Sequence, residues 1–170
     1  DGKDPDTLVR NADTAMYVAK AEGRACFRFY NEEMNSRAVE QLKMEEELRD
    51  AMRNNQLELR YQPQVDCRTG EVVSMEALVR WKHPVRGMVS PLEFIPVAER
   101  TGQIIELGEW VMAEVARHCL YWDSLGLKSF RICVNISPIQ FNQGNLPEWI
   151  RGFLKKANLP PERLELELTE

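Results

Sequence analysis

Residues 131–170 read RICVNISPIQ FNQGNLPEWI RGFLKKANLP PERLELELTE, and this stretch decides the fold class. It predicts a strand over residues 131–137, a helix over 147–157 and a second strand over 164–169. In the first strand Ile132, Val134 and Ile136 share one side by the two-residue period, and Asn135 points the other way. In the last, Leu164, Leu166 and Leu168 lie on one side and Glu165, Glu167 and Thr169 on the other. Strand, helix and strand in succession imply parallel pairing with helices outside, as in a (β/α) barrel or an open α/β sheet.

The same alternation extends upstream. Residues 57–65 and 71–81 are strand-like, joined by Cys67-Arg68-Thr69-Gly70, which has turn chemistry. Ser90-Pro91-Leu92-Glu93 has the composition of a helix start: a capping serine, proline at the first position and glutamate three residues after the cap. That helix is expected to reach about Gly102, with a bend at Pro96, and Ile104, Leu107, Val111, Val115, His118 and Trp122 form the stripe of a longer one. Four strands are counted, half the number a closed barrel needs.

Before Leu57 the pattern changes. Residues 31–55 are charged and helix-favouring, with Met44, Leu48 and Met52 four apart, which predicts a connector helix; a coiled-coil stalk is the alternative. Residues 1–30 predict a helix begun by Asp4-Pro5 and ended by Gly23, then a short strand over 26–30. One helix and one strand bury too little surface to stand as a domain. The chain opens on Asp1-Gly2-Lys3 and stops at Thr169-Glu170 after a strand, so an internal fragment of a longer protein is expected.

With 44% hydrophobic and 29% charged residues, the 170-residue chain can bury a core, which excludes wholesale disorder. The 22 Lys+Arg against 27 Asp+Glu give a net charge of -5, which argues against DNA or anionic lipid as a partner. Charges interrupt every apolar run before it reaches about 18 residues, so no membrane contact is expected from this segment. Cys26, Cys67, Cys119 and Cys133 form no CxxC pair and have no histidine at zinc spacing. They read as reduced thiols of a cytoplasmic protein, whose parent can still be anchored through an upstream region.

Both faces of a barrel strand are buried, so acidic residues inside strands need a reason. In residues 71–81, Val73, Met75, Ala77 and Val79 share one face, leaving Glu76, Leu78 and Arg80 on the other. The polar faces thus carry Glu76, Asn135, Glu165 and Glu167. Carboxylates and an amide oxygen meeting at strand ends suit Mg²⁺, Mn²⁺ or Ca²⁺. An amphipathic sheet with one wet face would also explain Leu-Glu-Leu-Glu-Leu.

Five ordered motifs over residues 57–170 now carry a resemblance. Tyr61-Gln62-Pro63-Gln64, Met75-Glu76-Ala77-Leu78-Val79-Arg80-Trp81, Ser90-Pro91-Leu92-Glu93-Phe94-Ile95-Pro96, Val134-Asn135-Ile136-Ser137 and Glu167-Leu168-Thr169-Glu170 resemble the first half of EAL domains, bacterial phosphodiesterases of cyclic di-GMP. Residues 13–24 resemble the C-terminal end of a GGDEF domain, the diguanylate cyclase fold, with Lys20 and Arg24 at positions near its nucleotide. The implied organisation is a GGDEF remnant over 1–30, a linker and connector helix over 31–55, and the first half of an EAL barrel over 56–170.

The resemblance implies that Glu76, Asn135 and Glu167 are ligands of Mg²⁺ or Mn²⁺. Glu170 matches a glutamate that steadies a loop over the site. Arg80 matches the arginine that contacts a substrate phosphate, an ordinary strand-end salt bridge being the alternative, and Gln62 and Leu78 match positions lining the dinucleotide pocket. The implied reaction is metal-assisted hydrolysis of cyclic di-GMP to 5′-pGpG, completed by residues downstream of this chain, so the 170 residues alone are expected to be inactive. A non-catalytic cyclic di-GMP receptor or scaffold is the rival. Homodimer formation is a further expectation, since a half barrel leaves strand edges to cover. His83 and His118 match no catalytic role; His118 reads as a core residue, and His83 lies in a loop near Arg80.

Overall fold

The computed structural model describes residues 4–21, 25–127, 130–142 and 144–168. The chain divides into two compact units, residues 1–49 and 50–170. No helix among the described residues is long and apolar enough to cross a membrane.

In the first unit, helix α1 (Pro5–Ala21) begins where the sequence placed it. Asp4 accepts from the Thr7 amide at 2.9 Å and the Thr7 hydroxyl at 2.8 Å, and these bonds hold its carboxyl below the usual range. Helix α2 (Glu32–Arg53) starts at Asn31, whose side chain accepts from the Met34 amide at 3.0 Å. Thr14 of α1 donates to Asn35 of α2 at 3.0 Å. Residues 26–30 are not a strand, contrary to the sequence pattern. A strand needs a neighbour for its backbone groups, and the described residues of this unit offer none. Gly23 and Arg24 lie outside the described residues.

The second unit is a mixed five-stranded sheet with helices packed on one face. Strands β1 (Leu57–Val65) and β2 (Val72–His83) pair antiparallel, with Gln62 opposite Glu76. The turn between them forces this. Asp66 accepts from the Arg68 and Thr69 amides at 2.8 and 2.9 Å, and Gly70 takes a φ of 73°, where a side chain would be strained. A short strand β3 (Gly87–Val89) folds back on the end of β2. Three residues are too few for a period to be read, so the sequence pattern passes over it. Beyond β2 the pairing is parallel, as alternation requires: β4 (Arg131–Ile136) lies beside β2, and β5 (Leu164–Leu168) beside β4.

Four helices occupy the connections. The Ser90 hydroxyl caps α3 (Pro91–Thr101) by accepting from the Leu92 amide. Helix α4 (Ile104–Ser124) buries Val111, Met112, Val115 and Cys119 against Ala77, Ile132 and Val134 of the sheet. After β4 come a short helix α5 (Pro138–Asn142) and then α6 (Leu146–Ala157), which adds Trp149, Ile150, Phe153 and Leu154 to this core. Leu164 packs on the same core, but Leu166 and Leu168 are exposed. β5 pairs only with β4 at one end of the sheet, and no helix of the described residues follows to cover it.

Arg163, in the 3₁₀ turn Pro161–Arg163, ties β5 to the rest. Its Nε donates to the Phe130 carbonyl at 3.0 Å and its Nη1 to Asp123 at 2.8 Å. The guanidinium also sits 5.6 Å from the Phe130 ring centroid.

Candidate active site

The sheet's second face gathers the polar residues that the two-residue period placed there. Asn135, next to last in β4, donates from Nδ2 to Glu76 Oε1 on β2 at 2.8 Å. Glu167 on β5 stands in register with Asn135, and Glu76 stands in register with Cys133. Three strands therefore bring Glu76, Asn135 and Glu167 to one face, as sequence parity predicted. The amide donation leaves Asn135 Oδ1 and Glu76 Oε2 without a hydrogen bond among the described residues.

A lower row was not foreseen. Cys133, Glu165 and Glu167 hold one thiol sulfur and two carboxylate oxygens within 4.8 Å of one another. The Cys133 thiol meets the Ser74 hydroxyl at 2.9 Å, and burial pushes its pKa up. Arg131 approaches Glu165 Oε2 at 3.5 Å, yet that buried oxygen accepts no hydrogen bond. The signal was present in the sequence: Ser74, Cys133 and Glu165 each precede an expected ligand by two residues and so share its face.

This donor set fits a hard divalent cation. It offers carboxylate and amide oxygens, one buried carboxylate oxygen lacks a hydrogen bond, and the amide is turned with its oxygen free.

Beside these residues lies a cavity of about 220 Å³ at the ends of β2 and β4, lined by Leu78, Arg80, Pro91, Asn135, Ser137 and Gln140 among others. Arg80 donates to the adjacent Val79 carbonyl at 2.9 Å, and among the described residues it forms no ion pair. The strand-end salt bridge is thus not seen. Gln62 is exposed on β1, in register with Glu76 and outside the cavity's lining. Glu170 lies outside the described residues.

Both histidines are structural. His83 is buried and its Nδ1 accepts from the Val85 and Arg86 amides at 3.1 and 3.0 Å, closing the turn into β3. His118 lies on the helix-covered side, between Tyr61 and Arg117. A guanidinium only donates, so Nε2, 2.9 Å from Arg117, accepts. The neutral ring then carries its proton on Nδ1 and donates to the Tyr61 oxygen at 2.7 Å. Burial, followed by the Arg117 charge, lowers the His118 pKa, and burial raises that of Tyr61.

Comparison with known proteins agrees with this architecture. The chain is 42% identical over all 170 residues to the bifunctional diguanylate cyclase/cyclic di-GMP phosphodiesterase MucR of Pseudomonas aeruginosa, spanning 25% of its length. It is 42% identical over 169 residues to the cyclic di-GMP phosphodiesterase PdeR of Escherichia coli, again spanning 25%. Among solved structures, the PaMucR phosphodiesterase in complex with c-di-GMP superposes with a TM-score of 0.71 at 40% identity, over 75% of this chain and 52% of that one. The Xanthomonas citri FimX EAL domain, also in complex with c-diGMP, gives 0.66 at 26% identity, over 80% of this chain and 52% of that one. Residues 45–170 match the EAL domain family, and the chain belongs to it.

Proposed function

We propose that this chain supplies the first half of a cyclic di-GMP phosphodiesterase site, in which Glu76, Asn135 and Glu167 hold Mg²⁺ or Mn²⁺ and Arg80 grips a substrate phosphate. The observation that carries this reading is the Asn135 to Glu76 hydrogen bond beside a cavity that Arg80 lines without an ionic partner among the described residues. When bound, the cation supplies Lewis-acid polarisation of the phosphoryl group and a lowered pKa for water in the site.

The chain's own residues bind and orient. The planar fork of Arg80 donates to phosphate oxygens and fixes the dinucleotide relative to the carboxylates. Leu78 and Pro91 give the cavity apolar walls for a base or sugar, and Gln62 contributes an amide from the neighbouring strand. Glu76 and Asn135 steady one another, so neither reorganises when the charge of the phosphate arrives. The reaction breaks one phosphorus to 3′-oxygen bond. Water delivers hydroxyl to phosphorus and a proton to the departing oxygen, leaving linear 5′-pGpG. Glu170 is assigned by resemblance to a loop over the site. Residues 1–30 are assigned to the end of a GGDEF domain and 31–55 to the connector, a reading supported by a match over all 170 residues of this chain to 25% of a bifunctional cyclase/phosphodiesterase.

Calorimetry of the purified chain with cyclic di-GMP and Mn²⁺, paired with hydrolysis by a parent protein carrying Glu76→Ala, tests the proposal. Binding by the chain and loss of turnover in the variant are expected. Near-normal turnover in Glu76→Ala would remove Glu76 from the site. Binding without any turnover by the unmodified parent would favour the receptor reading.

A further inference from the structure

Helix α4 carries glycine at position 108, in an interior where glycine is disfavoured against alanine. The reason for it is spatial. A Cβ at Gly108 would collide with Gln140 Nε2 and lie 3.2 Å from Gln140 Cδ, so the Gln140 side-chain amide occupies the space a side chain would fill. The other end of that amide makes a reciprocal cap. Gln140 Oε1 accepts from the Ser137 backbone N–H at 3.0 Å, and the Gln140 backbone N–H donates to Ser137 Oγ at 3.3 Å. Ser137 is buried and follows Asn135 by two residues, and Gly108, Asn135, Ser137 and Gln140 all line the same cavity.

We propose that Gly108 and Gln140 are a positioning pair for Asn135. The glycine admits the Gln140 amide, the cap fixes Ser137 at the exit of β4, and the fixed exit keeps Asn135 turned with Nδ2 on Glu76 and Oδ1 open to a divalent cation. This rests on the reading of Glu76, Asn135 and Glu167 as a cation site. The supporting contacts of a metal ligand hold its orientation, and removing them typically costs 10- to 100-fold in affinity. Because Gly108 meets the far end of a flexible side chain, Gly108→Ala should displace Gln140 rather than unfold the chain, and the helix gains propensity in return.

The experiment is titration of the purified chain with Mn²⁺, free ion being followed by electron paramagnetic resonance, beside thermal unfolding of each variant. Gly108→Ala and Gln140→Ala should each weaken Mn²⁺ binding about tenfold, with melting temperatures within a few degrees of the unmodified chain. Gln140→Glu retains an acceptor for the Ser137 amide and should restore most of the affinity. The inference is overturned if both weakening variants bind within about twofold of the unmodified chain, or if Gln140→Glu is as weak as Gln140→Ala. An unmodified chain that binds no Mn²⁺ would instead overturn the cation site itself, and the positioning role with it.

Discussion

Replacing Arg163 by leucine should loosen β5, the strand that carries Glu165 and Glu167. Three contacts disappear together: the donation to the Phe130 carbonyl at 3.0 Å, the pair with Asp123 at 2.8 Å and the approach to the Phe130 ring. Hydrogen bonds involving a charged group contribute about 1.5–3 kcal/mol each where water is excluded. The Arg163 side chain is 10% exposed and Asp123 26%, so the bond to the Phe130 carbonyl takes the upper part of that range and the Asp123 pair the lower. The ring contact adds about 0.5–1 kcal/mol. Against this, Arg163 Nη2 is buried without a hydrogen-bond partner, a cost of about 1–3 kcal/mol that leucine removes. The net loss is about 3 kcal/mol. Trp81, Trp110, Trp122 and Trp149 all lie within residues 50–170, so urea unfolding followed by tryptophan fluorescence reports this unit. A loss below about 1 kcal/mol would refute the latch, as would full additivity with Asp123→Asn in a double-mutant cycle.

Arg80→Ala in the parent protein should weaken cyclic di-GMP binding by at least about tenfold, the scale of one charged hydrogen bond, while Mn²⁺ affinity stays unchanged; equal calorimetric affinities would rule out a phosphate contact. Ser90→Ala removes the cap of α3 and should cost about 1 kcal/mol in urea unfolding, and no change would mean that the Leu92 amide finds water instead. His118 is held below its ordinary pKa of 6.5 by burial and by Arg117, so the unfolded chain binds the proton more readily. Its contribution is intact above about pH 6.5 and is lost as pH falls through the folded value. The urea midpoint should therefore drop between pH 7.5 and 5.5, and drop less in His118→Gln; identical slopes would contradict this.

Much of the fold was legible because its signals are local. Two-residue alternation placed Glu76, Asn135 and Glu167 on the polar face, and Asp4-Pro5 and Ser90-Pro91 marked helix starts that the backbone adopts. Each of these is a matter of neighbouring dihedrals and side chains, which a sequence states directly. What tertiary structure decided is which distant residues meet. Residues 26–30 have strand composition but find no partner strand among the described residues, and Leu166 and Leu168 alternate correctly yet stay exposed because no helix of the described residues covers β5. Cys133 joins Glu165 and Glu167 only through the parallel register of β4 and β5. His83 closes a turn rather than facing the site, and Gly108 is explained only by Gln140, thirty-two positions away, pressing against its backbone. Periodicity fixes the side of an element on which a residue lies; register and packing between elements fix its neighbours, and only folding sets those.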